Sequence, residues 1–176
     1  MNQEHYQLSR QIGEILQRHG WQVSSAESCT GGWVARCITD IAGSSAWFET
    51  GFVTYSNAAK HRLLGAPLSL FEGGNAPGAV SAQTVTAMAE GALLRANADL
   101  AVATSGIAGP DGGSVEKPVG TVWFAWAWRG QGQAVSSQTQ MQLFQGDRES
   151  VRSQSVTTAL QGLLKVLQEH DKTSRK

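Results

Sequence analysis

Charge is scarce in this sequence, and it is balanced. Asp, Glu, Lys and Arg make up 16% of the 176 residues, and 14 basic groups offset 14 acidic ones to a formal charge of +0. An average soluble protein carries about 25% charged residues. A broad cationic face for nucleic acid or for an anionic bilayer is therefore excluded, whereas a local phosphate pocket is not. Cysteine is nearly absent. Cys29 and Cys37 form no CxxC and no Cys/His ligand spacing, so they read as free thiols of a reducing compartment. The histidines His5, His19, His61 and His170 show no ligand spacing to one another, and three of them fall on amphipathic or fraying surfaces, so no metal is expected. No apolar run reaches the length of a membrane span, and Met1-Asn2-Gln3-Glu4-His5 lacks the features of a secretory leader. A cytoplasmic protein without a membrane partner is the expectation. Walker A, HExxH and GxSxG are missing too. Gly130-Gln131-Gly132 lacks the third glycine of a dinucleotide fingerprint. Ser114-Val115-Glu116-Lys117 has the letters of SxxK, but it lies between Gly113 and Pro118 where no helix is expected, so it reads as loop.

Glycine is plentiful, at 20 residues where about 12 would be average for this length. With 41% hydrophobic residues, the chain reads as a compact fold whose backbone turns sharply or meets a ligand closely in several places. Leu8, Ile12, Ile15 and Leu16 at helical spacing predict a helix over 3–19, stopped by Gly20. A short strand over 21–25 leads into a glycine turn, and a helix carrying Trp33, Val34, Cys37, Ile38 and Ile41 runs towards Gly43. Residues 46–55 read as a strand or hairpin, 57–64 as a short helix and 67–78 as loop. Ser81 is placed to cap a helix to about Ala96, and Leu100-Ala101-Val102-Ala103-Thr104 is a buried strand. Two further strands are expected, over 119–128 and 134–144, joined by the turn at 129–132. A long helix follows Asp147 and frays from about His170. Alternating helices and strands give an α/β fold in one domain spanning 1–176.

Four segments carry possible chemistry. Ser28 lies between the first strand and a helix opened by Thr30-Gly31-Gly32, so it is either an N-cap or a nucleophile beside backbone donors. Tyr55 and Lys60 flank a helix start. Lys60 is either solvated or an activator of a hydroxyl, the latter needing its pKa lowered by about 3 units. Ser105-Gly106-Ile107-Ala108-Gly109-Pro110-Asp111-Gly112-Gly113 follows the buried strand and is either an anion-binding nest or a tight structural loop. Arg148 and Arg152 share one face of the last helix and suit a phosphate or carboxylate, or solvent.

Taken together, Ala26-Glu27-Ser28-Cys29-Thr30-Gly31-Gly32, Gly51-Phe52-Val53-Thr54-Tyr55-Ser56-Asn57 with Lys60, Gly78-Ala79-Val80-Ser81, the glycine loop from Ser105, Lys117-Pro118-Val119-Gly120-Thr121-Val122 and Gly146-Asp147-Arg148 resemble the CinA C-terminal domain family, over about residues 8–168. The resemblance implies a three-layer α/β/α fold with a mixed sheet. It implies hydrolysis of the carboxamide of nicotinamide mononucleotide to nicotinate mononucleotide and ammonia, without cofactor, by a homodimer. Carried over by motif, Ser28 is the nucleophile, and Lys60 with Tyr55 activates it and moves protons. The amides of Thr30, Gly31 and Gly32 bind the oxyanion, Ser105 and Gly106 hold the substrate, and Arg148 binds its charged group. Ser105 stands where many members carry threonine, and 67–77 and 129–144 look extended. The alternatives are a nucleotide-binding regulatory module without chemistry, and an interaction module built on Trp123, Trp126 and Trp128. Even spacing puts Trp126 and Trp128 on one strand face.

Overall fold

The computed structural model describes residues 2–130 and 134–174. Helix α1 (Gln3–His19) starts where the Asn2 side chain accepts from the His5 amide, and ends at Gly20, whose φ of 66° lets its N–H reach back to Leu16 and Gln17. The strands are β1 (Val23–Glu27), β2 (Phe48–Val53), β3 (Leu100–Gly106), β4 (Thr121–Arg129) and β5 (Val135–Leu143). They form one sheet in the order β2-β1-β3-β4-β5. β1 runs parallel to β2 and β3, and β4 is antiparallel to both β3 and β5. The region expected as a strand or hairpin at 46–55 is thus a parallel edge strand. Of the turn read at 129–132, residues 131 and 132 lie outside those described.

Helices α2 (Trp33–Thr39), α3 (Asn57–Leu64), α4 (Ala82–Arg95) and α5 (Arg148–Ser174) cover the two faces. Strand alternation sorts the core into two layers. Leu100, Val102, Val122, Phe124 and Trp126 face α1, α2 and α5. Ala101, Ala103, Ala125 and Ala127 face α4 and Leu64 of α3. The alanine face admits α4 closely, while the other face is filled by large side chains. There Trp126 lies across Gly162, where a Cβ would overlap its ring, and its indole N–H donates to the Ala159 carbonyl at 3.0 Å. Trp126 and Trp128 share this face, and Trp126 is buried.

Three expectations shift. α2 stops at Thr39, short of Gly43. α5 continues through Ser174, where fraying was expected from His170, and the His170 ring packs against Trp21 and Trp128. His5, expected on an amphipathic surface, is fully buried, and its Nε2 pairs with Thr157 Oγ1 at 2.8 Å to join α1 to α5. Among the described residues no helix is long and apolar enough to cross a membrane.

Candidate active site

The three parallel strands β2, β1 and β3 end side by side, and the chain leaves each carboxyl end carrying a polar group. Ser28 directly follows β1, Thr54 follows β2, and Ser105 and Gly106 close β3. This edge of a parallel sheet is where crevices form, because the connections diverge there.

Ser28 is tied to the sheet by its amide, which donates to Thr104 O at 3.0 Å. The turn beyond it passes through Gly31 (φ 62°) and Gly32 (φ 93°), conformations that other residues adopt only with strain. Ser28 is not the cap of α2. That position is Gly32, which has no side chain, and the helix start is held by Glu27 instead. The Glu27 carboxylate is buried, with Oε2 accepting from Gly32 N and Val34 N at 3.0 Å each and Oε1 from Ala35 N at 2.8 Å. It satisfies the otherwise orphaned first amides of the helix.

Lys60 closes the first turn of α3, whose start is capped by Ser56 accepting from Ala59 N at 3.1 Å. The Lys60 side chain is only 1% exposed. Its Nζ sits 3.1 Å from Ser28 Oγ, 2.8 Å from Thr54 O and 3.2 Å from Tyr55 O. Every one of these partners is neutral. Burial pushes the amine down from 10.5 to about 8, opposed by the neighbouring Cys29 thiol. Near neutral pH a useful fraction of Lys60 is therefore the free base, hydrogen-bonded to a hydroxyl. Burial drives the Cys29 thiol the other way, up to about 11, which keeps it protonated and unreactive beside Ser28. Both cysteines are free and buried.

Tyr55 contributes its carbonyl to Lys60, not its phenol. The residue is 64% exposed, and its hydroxyl accepts from Arg148 Nη2 at 3.2 Å. Arg148 Nη1 donates to Gly109 O at 2.6 Å, so this side chain joins the glycine loop to Tyr55. Ser105 is buried, and its hydroxyl proton is committed to Ala79 O at 2.8 Å. The adjoining loop is held further by Ser81 and Thr84, both donating to Gly78 O, and by Lys117 Nζ donating to Pro77 O. Lys117 and Ser114 are thus loop ties, as expected of that segment. Gly106 lacks a side chain for the sake of β4, since a Cβ there would overlap Thr121 O and Val122.

The backbone donors near Ser28 differ from the sequence expectation. Gly31 N donates to Ser28 O at 3.1 Å, and Gly32 N is taken by Glu27. Both are consumed inside the turn. The Thr30 hydroxyl is also internal, paired with Thr104 Oγ1 at 2.7 Å. Among the described residues, the Thr30 amide remains without an acceptor here, and the Cys29 amide meets only its own thiol. Arg152 Nε and Nη2 donate to the carbonyls of these same residues, Cys29 O at 3.0 Å and Thr30 O at 2.9 Å.

Sequence reasoning passed over Glu27 and gave Arg152 only a ligand-binding or solvent role. A carboxylate ending a buried strand just before a glycine turn and a helix was the available signal for Glu27. No local pattern announces that an arginine 122 residues beyond Thr30 binds its carbonyl. Among the described residues no cluster of three or more His, Cys, Asp or Glu stands close enough to hold a metal ion.

Fold and site together define a three-layer α/β protein with a buried serine–lysine pair at the carboxyl edge of its parallel strands. Residues 5–167 match the CinA C-terminal domain, and the chain belongs to that family. Among its relatives is the nicotinamide-nucleotide amidohydrolase PncC of Enterobacter agglomerans, 57% identical over 91% of this chain and 93% of that protein. Its namesake in Escherichia coli K12 is 58% identical over 89% of this chain and 91% of that protein. Of solved structures, the competence/damage-inducible protein CihA of Agrobacterium tumefaciens is 43% identical, with a TM-score of 0.84 over 96% of this chain and 98% of that one.

Proposed function

We propose that this chain is an amidohydrolase that converts nicotinamide mononucleotide and water to nicotinate mononucleotide and ammonia, using Ser28 as nucleophile and Lys60 as its general base. The observation that carries the mechanism is the 3.1 Å contact between Lys60 Nζ and Ser28 Oγ, with the amine lowered to about 8. The names of the relatives supply the substrate.

Neutral Lys60 takes the Ser28 proton as Oγ bonds to the carboxamide carbon. The carbonyl oxygen becomes an oxyanion, met by backbone donors of the turn. The Lys60 ammonium then returns the proton to the departing nitrogen, the C–N bond breaks, and ammonia leaves an ester on Ser28. Water attacks the ester with Lys60 again as base, freeing the carboxylate and restoring the hydroxyl. Arg148 and the Tyr55 phenol stand at the exposed side of the pair, placed to meet the charged part of the nucleotide. Ser105 acts on the wall of the site through Ala79, not on the reacting atoms.

The test is ammonia release from nicotinamide mononucleotide beside nicotinamide, NAD and glutamine. Wild-type protein is expected to act on the mononucleotide, and Ser28→Ala to be inactive with an unchanged melting curve. Turnover of Ser28→Ala at the wild-type rate would overturn the mechanism.

A further inference from the structure

Arg152 does two things at once. It stacks over the Trp33 ring at 5.5 Å, and it places two guanidinium donors on the successive carbonyls of Cys29 and Thr30. The peptide plane joining Cys29 to Thr30 carries the Cys29 carbonyl on one edge and the Thr30 N–H on the other. In a trans peptide these point in opposite directions. Arg152 holds the carbonyl edge, so the Thr30 N–H points away from the guanidinium. The Cys29 N–H is fixed in the same way, because the carbonyl of its own peptide plane, Ser28 O, accepts from Gly31 N. Of the two, the Thr30 N–H is unpaired, and the Cys29 N–H meets only its own thiol. A cation bonded to the carbonyl of a peptide also draws electron density from its N–H, strengthening that group as a donor.

We propose that Arg152 is a positioning residue for the hydrolysis: by clamping the Cys29 and Thr30 carbonyls it aims and polarises the Cys29–Thr30 peptide, whose Thr30 N–H is the oxyanion donor, without touching the substrate. The inference rests on the serine mechanism above and assigns its oxyanion donor. It also separates Arg152 from Arg148, one helical turn earlier, which meets Tyr55 and the glycine loop.

A competing role is available on the other side of the same guanidinium. Arg152 lines a cavity of ≈ 350 Å³ together with Gly31, Gly32, Trp33, Arg36 and Glu149, and there it would bind an anionic part of the substrate. Arg36 serves as the control, because it lines this cavity while its guanidinium pairs with Asp40 at 3.7 Å and reaches neither carbonyl.

The experiment is steady-state ammonia release by Arg152→Gln, Arg152→Lys and Arg36→Gln. It is combined with inhibition by the mononucleotide analogue whose carboxamide is replaced by a formyl group, which Ser28 adds to as a tetrahedral adduct. Arg152→Gln is expected to lose about 10²-fold in kcat with KM within about 3-fold, and to lose affinity for the formyl analogue in parallel. Arg152→Lys keeps the charge but has no fork to span two carbonyls, so it should fall between Arg152→Gln and wild type. Arg36→Gln should stay within about 2-fold in both parameters. Should Arg152→Gln fail to fold, the same kcat-against-KM split in Arg152→Lys decides. A rise in KM with kcat unchanged, or an equal loss in Arg36→Gln, overturns the proposal in favour of anion binding, and unchanged kinetics overturns it outright. Turnover by Ser28→Ala would instead overturn the reading on which it rests.

Discussion

Two ionisable side chains near Ser28, Glu27 and Lys60, are buried, and their surroundings could hardly differ more. The Glu27 carboxylate is met by the N–H groups of Gly32, Val34 and Ala35, at the end of a helix whose dipole favours negative charge. The Lys60 ammonium meets only neutral acceptors: two carbonyls and one hydroxyl. One site is built for its charge and the other tolerates it badly. Stability is concentrated on the Glu27 side, which fixes the turn. Reactivity is concentrated on the Lys60 side, where the discomfort of the charged form makes the free base accessible.

The sharpest way to break this contrast is Lys60→Met. Activity should fall by about 10³-fold or more, because the general base is lost. Stability at pH 7 should rise by about 2 kcal/mol, because a poorly compensated buried charge is replaced by an apolar chain of similar length. Paired ammonia-release and denaturant-unfolding measurements check both signs. Glu27→Gln should do the reverse to stability. A neutral amide turns an NH2 towards donors, and the loss is expected at about 2–4 kcal/mol in the same unfolding experiment.

pH separates the two sides again. Activity limited by neutral Lys60 should rise close to tenfold per unit below about 8 and level off above it. The folded pKa lies below the unfolded value of 10.5, so between about 8 and 10.5 the unfolded chain holds a proton that the folded one has lost. Stability referable to Lys60 therefore rises with pH across that window. A Lys60→Met protein should lack that component in pH-dependent unfolding. The smallest effect is expected of Tyr55→Phe, which removes the phenol that accepts from Arg148 and leaves the Lys60 contact to the backbone intact. A loss of about 5-fold, mainly in KM, is expected from a hydrogen bond of about 1 kcal/mol. A loss as large as that of Lys60→Met would return the phenol to the proton path.

Much of the fold was legible where local chemistry decides it. The helix over 57–64 was read with its observed bounds, because Ser56 and Gly65 punctuate both ends. α1 was equally plain from its periodicity and Gly20. β1 was read two residues early, since Val23-Ser24-Ser25-Ala26-Glu27 has little apolar character, although all five residues are buried. Its burial comes from neighbours on both sides in the sheet, which no single segment records. The candidate site divides the same way. Ser28, Lys60 and Arg148 stand out as residue types in telling places. Ser105 and Gly106 are explained by Ala79 and by β4, partners far away in the chain. The glycines at 31 and 32 were rightly linked to the turn, and their amides, expected at the oxyanion, are taken by Ser28 O and Glu27.

The bonds from Arg152 to Cys29 and Thr30 close a loop of more than 120 residues. Contacts of such separation carry a loop-closure entropy cost and cannot form before both ends of the loop exist. The turn bearing Ser28 is thus made well before its last partner, and it is completed only when α5 emerges and docks. A nascent chain lacking that helix possesses the hydroxyl, the amine and the glycines, but not the clamp on the carbonyls between them.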